Sequence, residues 1–260
     1  MRIAAVGDNC IDYYKGIKKI YSGGNAVNVA VYSARIGTQA SYIGIIGTDA
    51  FGDKIYHDIK EKGVDVSHLH VSEGNTAVTY VELNNNDREF VGFNEGVMKN
   101  FNLTDEDIKF IAEHDIVHSG ISGHCEKYFK IFKQRGLITS FDFSDEDKEE
   151  LVDRLAPHLD YAFFSYVKDN PYIRSYLKSV VDRGSKIAVS TLGGNGSLAY
   201  DGKKYYKSKA KDIDVIDTMG AGDSFIAGFL NGIYQGGTIK VCMEKGGDTA
   251  AETIQYNGAW

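Results

Sequence analysis

The strongest constraint on the fold is an alternation of short apolar runs with longer segments of helical period, several of them closed by a glycine. Ile3 to Val6 is apolar and stops at Gly7-Asp8, while Asn25 to Ile36 carries small and branched apolar residues on a helical repeat and stops at Gly37. Tyr42–Ile46 reads as the next strand and Phe51–Lys62 as the next helix, closed by Gly63. Ile116–His118, Thr139–Phe141, Tyr161–Phe164 and Lys186–Ser190 continue the series of strands. Between them, Thr104-Asp105-Glu106-Asp107 is a capping-box start for a helix reaching about Glu113. Strands alternating with helices imply a mostly parallel sheet covered on both faces. The 260 residues suffice for one large α/β domain with a small appendage.

Three segments depart from the alternation. Ala77–Leu83 and Glu89–Phe93 are strand-like and flank the polar turn Asn84-Asn85-Asn86-Asp87, a hairpin with no helix in sequence to cover it. It is expected to stand away from the main sheet as a lid or a dimer surface. Ser197–Tyr200 and Lys204–Tyr206 form a second hairpin, turning at Asp201-Gly202. Val215-Ile216 is strand-like and leads into the last helical region.

Composition narrows the partners. The 29 basic and 36 acidic residues give a net charge of −7, which argues against a nucleic-acid or anionic-membrane partner. Cys10, Cys125 and Cys242 are too few and too scattered for a disulfide framework or a paired-cysteine zinc site, so a reducing cytoplasm is expected. No apolar run approaches the roughly 20 residues that a membrane helix needs.

Chemistry enters at Gly220-Ala221-Gly222-Asp223, which precedes Phe225, Ile226, Phe229, Leu230 and Ile233 on one helical face. Gly220 to Gly222 thus lie at a helix N-terminus, where unpaired amides and the helix dipole attract an anion. Two glycines and an alanine leave no bulk between those amides and a phosphate. A carboxylate beside an anion site would repel the anion, so Asp223 suggests a base that accepts a proton from an attacking hydroxyl. Phosphoryl transfer asks mainly for such positioning and charge stabilisation. The plainer reading is a tight strand-to-helix turn with Asp223 as a cap.

The longer string Asp217-Thr218-Met219-Gly220-Ala221-Gly222-Asp223-Ser224-Phe225 decides between them, because it resembles the signature D-T-x-G-A-G-D-S-F of the ribokinase-like (PfkB) carbohydrate kinases. Ser22-Gly23-Gly24-Asn25-Ala26-Val27-Asn28-Val29-Ala30 is similar to that family's N-terminal signature, in which a Gly-Gly turn and the helix start hold substrate hydroxyls. Gly7-Asp8-Asn9-Cys10-Ile11-Asp12 matches the end of its first strand, where an acidic residue binds the sugar; Asp12 is the better positional match and Asp8 the second. Thr191-Leu192-Gly193-Gly194-Asn195-Gly196 resembles its T-L-G-x-x-G nucleotide loop.

The resemblance implies a three-layer α/β/α sandwich over residues 1–260, with a small β lid formed by about 12–22 and 75–100. It implies ATP with Mg2+, a base at Asp223, and an anion hole at Gly220, Ala221 and Gly222. Substrate contacts fall on Asp8, Asp12, Gly23, Gly24 and Asn28, and nucleotide contacts on Thr191, Gly193, Gly196 and Thr218. Where relatives have an asparagine and a glutamate that organise Mg2+, Ser165 and Lys168 stand here, leaving Asp142 and Asp169 as weaker candidates. Nearly the whole chain, including Phe93-Asn94-Glu95-Gly96-Val97-Met98 and Thr253 to Trp260, is similar to the family's fructosamine kinases, which implies transfer to a 6-hydroxyl. A fructosamine carries a protonated amine, for which Asp8, Asp12 and Glu95 offer negative charge, while Arg88 on the lid offers a partner for a carboxylate or phosphate. The alternatives are a kinase of another sugar or nucleoside, and a sugar- or nucleotide-binding sensor without catalysis. A homodimer through the lid is expected, since exposed edge strands commonly take a partner.

Other signals carry less. His114, His118 and His124-Cys125 invite a zinc reading, but four-residue spacing has no special meaning in a strand. Gly202-Lys203 lacks the Ser or Thr of a P-loop, and Gly194-Asn195-Gly196 opens a hairpin where a dinucleotide fingerprint needs a helix. Gly120-Ile121-Ser122-Gly123 lacks the second spacer of a nucleophile elbow.

Overall fold

The computed structural model describes residues 1–84, 87–145 and 149–260, the side chains at 83–90 excepted. In chain order the elements begin with β1 (Arg2–Val6), β2 (Cys10–Tyr14), β3 (Lys19–Gly23), α1 (Asn25–Arg35), β4 (Gln39–Gly47) and α2 (Ala50–Glu61). Next come β5 (Leu69–Ser72), β6 (Val78–Asn84), β7 (Asp87–Asn94), α3 (Asp105–Ile111), β8 (Ile116–Gly120), α4 (Phe129–Gln134) and β9 (Ile138–Asp142). The chain continues through α5 (Glu149–Leu155), β10 (Tyr161–Ser165), α6 (Pro171–Asp182), β11 (Ile187–Thr191), β12 (Ser197–Tyr200), β13 (Tyr205–Ser208), α7 (Ala221–Tyr234) and α8 (Ile239–Thr253).

Nine strands form the main sheet in the order β13-β12-β11-β10-β9-β8-β1-β4-β5. All its pairings are parallel except β11 with β12 and β12 with β13. Side chains alternate across a strand, so consecutive residues of β1 feed two different cores. Ala4 and Val6 join Phe129, Phe132, Leu155 and Leu177 under α4, α5 and α6. Ile3 and Ala5 join Val27, Ile55, Phe229 and Met243 under α1, α2, α7 and α8. Helices therefore cover both faces, as the alternation requires.

The second sheet has four strands, ordered β3-β2-β6-β7. Its centre is the parallel pairing of β2 with β6, with Ile11 opposite Val78, a contact between segments far apart in sequence. The β6–β7 hairpin was expected, although Asn85 and Asn86 of its turn lie outside the described residues. The strands β2 and β3 overlap the 12–22 segment that the resemblance assigned to the small β lid, although no strand pattern was read there from the residues. Val215-Ile216 is no strand: both side chains are exposed, and the Ile216 amide donates to the Ile254 carbonyl at the end of α8. Two β-branched residues suggested a strand, but none of the described residues pairs with them to form a ladder.

The strand order reverses at β1. Its chain successor in the main sheet, β4, lies on one side and β8 on the other, so a crevice forms outside the carboxyl ends of β1 and β8.

Candidate active site

Asp8 follows β1 into that crevice. Its carboxylate accepts the Asn25 amide at 2.7 Å and the Ala26 amide at 3.4 Å, and so caps α1 from a distant part of the chain. Gly24 holds the N-cap position of α1 at φ 117°, and a Cβ there would lie 2.7 Å from the Asn9 Cα. Only glycine lets these two backbones meet.

Asn25, the first residue of α1, is the hub. Its side-chain amide donates to Asp142 Oδ2 at 2.8 Å and to Asp223 Oδ1 at 2.7 Å. Its carbonyl oxygen faces His118 Nε2 at 3.1 Å, and His118 Nδ1 faces the Ser140 hydroxyl at 2.9 Å. Because Asn25 Oδ1 only accepts, His118 donates from Nε2 and accepts at Nδ1. Burial pushes the His118 imidazole down to about 3, so it stays neutral. One turn along α1, Asn28 Nδ2 donates to Asp223 Oδ2 at 2.6 Å.

Asp223 lies in the first turn of α7, and both its oxygens are thus held by asparagine amides. Its pKa is pushed up to about 8, first by burial; the Asn28 amide opposes this, while the neighbouring Asp142 and Asp8 carboxylates reinforce it. Burial likewise raises Asp142 to about 6, against the Ser144 amide. Burial raises Asp8 too, against the Asn25 and Ala26 amides. Gly220 turns the chain into α7 at φ 73°, where a Cβ would stand 2.4 Å from the Tyr32 hydroxyl. The Ala221 amide donates to the Thr218 carbonyl at 3.2 Å. Asp217 ties the turn down: its Oδ1 accepts the Met219 amide at 3.0 Å and its Oδ2 the Gly258 amide at 2.9 Å.

Two cavities flank this centre. One, of about 240 Å3, is lined by Thr191, Gly193, Gly196, Thr218, Ala221 and Gly222, with Phe225, Met243, Ala250 and Ile254 as an apolar wall. It therefore gathers all four residues expected at a nucleotide and two of the anion-hole residues. The other, of about 540 Å3, opens beside the small sheet and is lined by Asp8, Asn9, Cys10, Thr79, Phe93 and Glu95, among others. Of the expected substrate residues, Asp8 and Glu95 line it.

The rest are placed differently. Asp12 is buried in β2, beside the Cys10 thiol at 3.5 Å, and Gly23 packs so closely that a Cβ would come within 2.5 Å of its carboxylate. Asn28 is buried against Asp223, and the Arg88 side chain lies outside the described residues. Glu95 bonds to His124 Nε2, which joins the small sheet to the loop after β8. His114 is taken up by the Phe110 carbonyl and the Ser41 hydroxyl, far from any ligand role. Asp169 is committed to Arg174 at 2.7 Å and Lys207 at 3.3 Å, and Ser165 faces the Thr191 hydroxyl. Among the described residues no group of three or more His, Cys, Asp or Glu is arranged to hold a metal.

Sequence reasoning passed over Asn25, which stood inside a quoted motif, and saw His118 only as a doubtful zinc ligand. Trp260 stood in a segment of the resemblance with no role assigned, yet its indole donates to Asn28 of α1.

Comparison with known proteins shows the family and the fold. Residues 18–260 match the family described as pfkB family carbohydrate kinase. The chain is 48% identical to fructoselysine 6-kinase of Shigella flexneri over 258 residues, covering 99% of both chains. It is 34% identical to fructosamine kinase FrlD of Bacillus subtilis (strain 168), covering 100% of this chain and 93% of that one. Among solved structures, the ribokinase of Arabidopsis thaliana complexed with ribose and ATP superposes with a TM-score of 0.84 at 19% identity, covering 99% of this chain and 93% of that one. An uncharacterized sugar kinase of Pyrococcus horikoshii in complex with ATP gives 0.81 at 23% identity, with coverage of 99% and 94%. No helix among the described residues is long and apolar enough to cross a membrane.

Proposed function

The chain belongs to the pfkB family of carbohydrate kinases, and from that premise we propose that it moves the γ-phosphate of ATP to the 6-hydroxyl of a fructosamine such as fructoselysine. The observation that carries the mechanism is the Asp223 carboxylate, held at both oxygens by asparagine amides, next in sequence to Gly222 of the first cavity and within electrostatic reach of Asp8 of the second. The acceptor hydroxyl gives its proton to Asp223 as its oxygen bonds to the γ-phosphorus and the bond to ADP breaks. The phosphate is placed at the start of α7, beside Gly222, where the helix dipole favours its charge; the Ala221 amide is taken by the Thr218 carbonyl. Thr191, Gly193, Gly196 and Thr218 line the nucleotide side, with Met243 and Ile254 offering the apolar wall that an adenine ring requires.

Asp8 and Glu95 make the sugar side acidic, and the described residues that line it include no lysine or arginine. Such a cavity suits an acceptor bearing a protonated amine, which the fructosamine kinases among the relatives share as a substrate class. The described residues offer no dedicated Mg2+ cage: Asp169 is neutralised by two cations, and Ser165 and Lys168 replace carboxamide and carboxylate ligands. Mg2+ is therefore assigned to the nucleotide, with phosphate and water oxygens as its ligands.

The test is phosphoryl transfer from ATP to fructoselysine, fructose, ribose and adenosine. Fructoselysine is expected to give the highest kcat/KM; a preference for an unmodified sugar overturns the acceptor assignment. Asp223→Asn should abolish transfer while ATP still binds, and near-normal turnover in that variant would remove Asp223 from the role of base.

A further inference from the structure

The orientation of the Asn28 side chain is imposed from outside the two cavities. Asn28 Oδ1 accepts the Trp260 indole N–H at 2.7 Å, while its Nδ2 donates to Asp223 at 2.6 Å. An indole only donates, so the carboxamide must turn its oxygen to Trp260 and its N–H groups to Asp223. Trp260 is itself fixed by the segment before it. The Gly258 amide is held by Asp217, the Ala259 carbonyl accepts the Tyr32 hydroxyl, and Gly258 packs against the Tyr21 ring with no room for a Cβ. The same brace therefore touches the turn before α7, the first helix and the small sheet.

We propose that Trp260 is a positioning residue for phosphoryl transfer, which locks the Asn28 carboxamide so that it donates to the ionised Asp223 carboxylate. The proposal rests on Asp223 being the base. Without the indole, the carboxamide is free to turn its oxygen toward Asp223, where it accepts only from a protonated carboxyl and so favours the inactive form. The other groups facing Asp223 remain in the variant: Asp8 and Asp142 as neighbouring carboxylates, Tyr32 from α1, and neutral His118 acting through Asn25.

Trp260→Phe keeps an aromatic ring and removes the N–H. Its kcat should fall roughly tenfold near neutral pH, the worth of one hydrogen bond to a charged group, with KM for ATP unchanged. The acid limb of the pH–rate profile should move up by about one unit. Trp260→His, which restores a ring N–H, should recover part of both. A folded Trp260→Phe protein with the wild-type profile overturns the proposal, as does a fall in kcat with no shift of the acid limb. If the Phe variant fails to fold, replacement of Trp260 by benzothienylalanine, which exchanges the N–H for sulfur at nearly constant shape, is read by the same two criteria. A carbon-13 titration of the Asp223 carboxyl, assigned with Asp223→Asn, follows the same shift without any turnover. It separates failure of this proposal from failure of Asp223 as the base.

Discussion

The Asp223 carboxylate is pulled two ways. Burial and the two carboxylates beside it favour the neutral form, and the Asn28 and Asn25 amides favour the charged one; the balance lies at about 8, against 3.8 for a free aspartate. A base must be ionised, so kcat/KM should climb about tenfold per pH unit below that value and level off above it. The same displacement links stability to pH. The folded-state pKa is raised, so the protonated carboxyl contributes stability that is complete below about pH 4 and is lost as the pH rises through about 8. The thermal midpoint of the wild type minus that of Asp223→Asn should therefore decline across this window. Asp142, raised to about 6, titrates in both proteins, and only its coupling to Asp223 remains in the difference. Melting both proteins from pH 4 to pH 9 checks this, and a flat difference rejects the raised pKa. None of this balance was legible in the sequence. Asp223 stood out through its neighbours in the chain, while Asp142, Asn25 and Asp8 meet it only through the parallel strands that bring their carboxyl ends together.

At the scale of elements, α7 shows how glycines of one helix do different work. Gly228 faces α8, and a Cβ there would stand 2.5 Å from the Thr249 hydroxyl, 2.7 Å from the Lys245 carbonyl and 3.0 Å from the Gly246 Cα. Two of those atoms are backbone and cannot step aside, so Gly228→Ala must push the helices apart, at about 1–3 kcal/mol. For a chain of this size that is a fall of several degrees in the thermal midpoint, on the order of 2–4 °C per kcal/mol. Gly222, six residues earlier, has nothing within 4 Å of its Cβ position and lines the nucleotide cavity. Gly222→Ala should leave the midpoint unchanged and lower kcat/KM for ATP, because the open space is the space a phosphate needs. Calorimetry and kinetics on the two variants separate packing from binding. The helical face of α7 was readable from Phe225, Ile226, Phe229 and Leu230, all buried, because a 3.6-residue period is local. The 215–216 segment was misread because β propensity says nothing about whether a neighbouring strand exists. For the same reason β2 and β3 entered only through the family resemblance, since their strand character depends on pairing with β6.

The whole molecule is two sheets facing a shared acceptor cavity, and what this arrangement adds is selectivity. Main-sheet topology supplies Asp8 from the end of β1, and the small sheet supplies Phe93 and leads into Glu95. Glu95 in turn is bonded to His124 of the loop after β8, so one carboxylate both lines the cavity and ties its two walls together. An acceptor that carries a phosphate would meet Asp8 and Glu95 with like charge, and a neutral hexose would gain hydrogen bonds from them but no charge pairing. On the proposed function, a fructosamine would bring a protonated amine to that place. Glu95→Gln keeps the shape and the ability to bond to His124, and removes only the charge. It should lower kcat/KM for fructoselysine about tenfold, near 1.4 kcal/mol, and leave the value for fructose unchanged. Equal losses for both acceptors would mean that Glu95 serves only to hold the walls together, and an unchanged value for fructoselysine would place its ammonium elsewhere, with Asp8 the next residue to substitute.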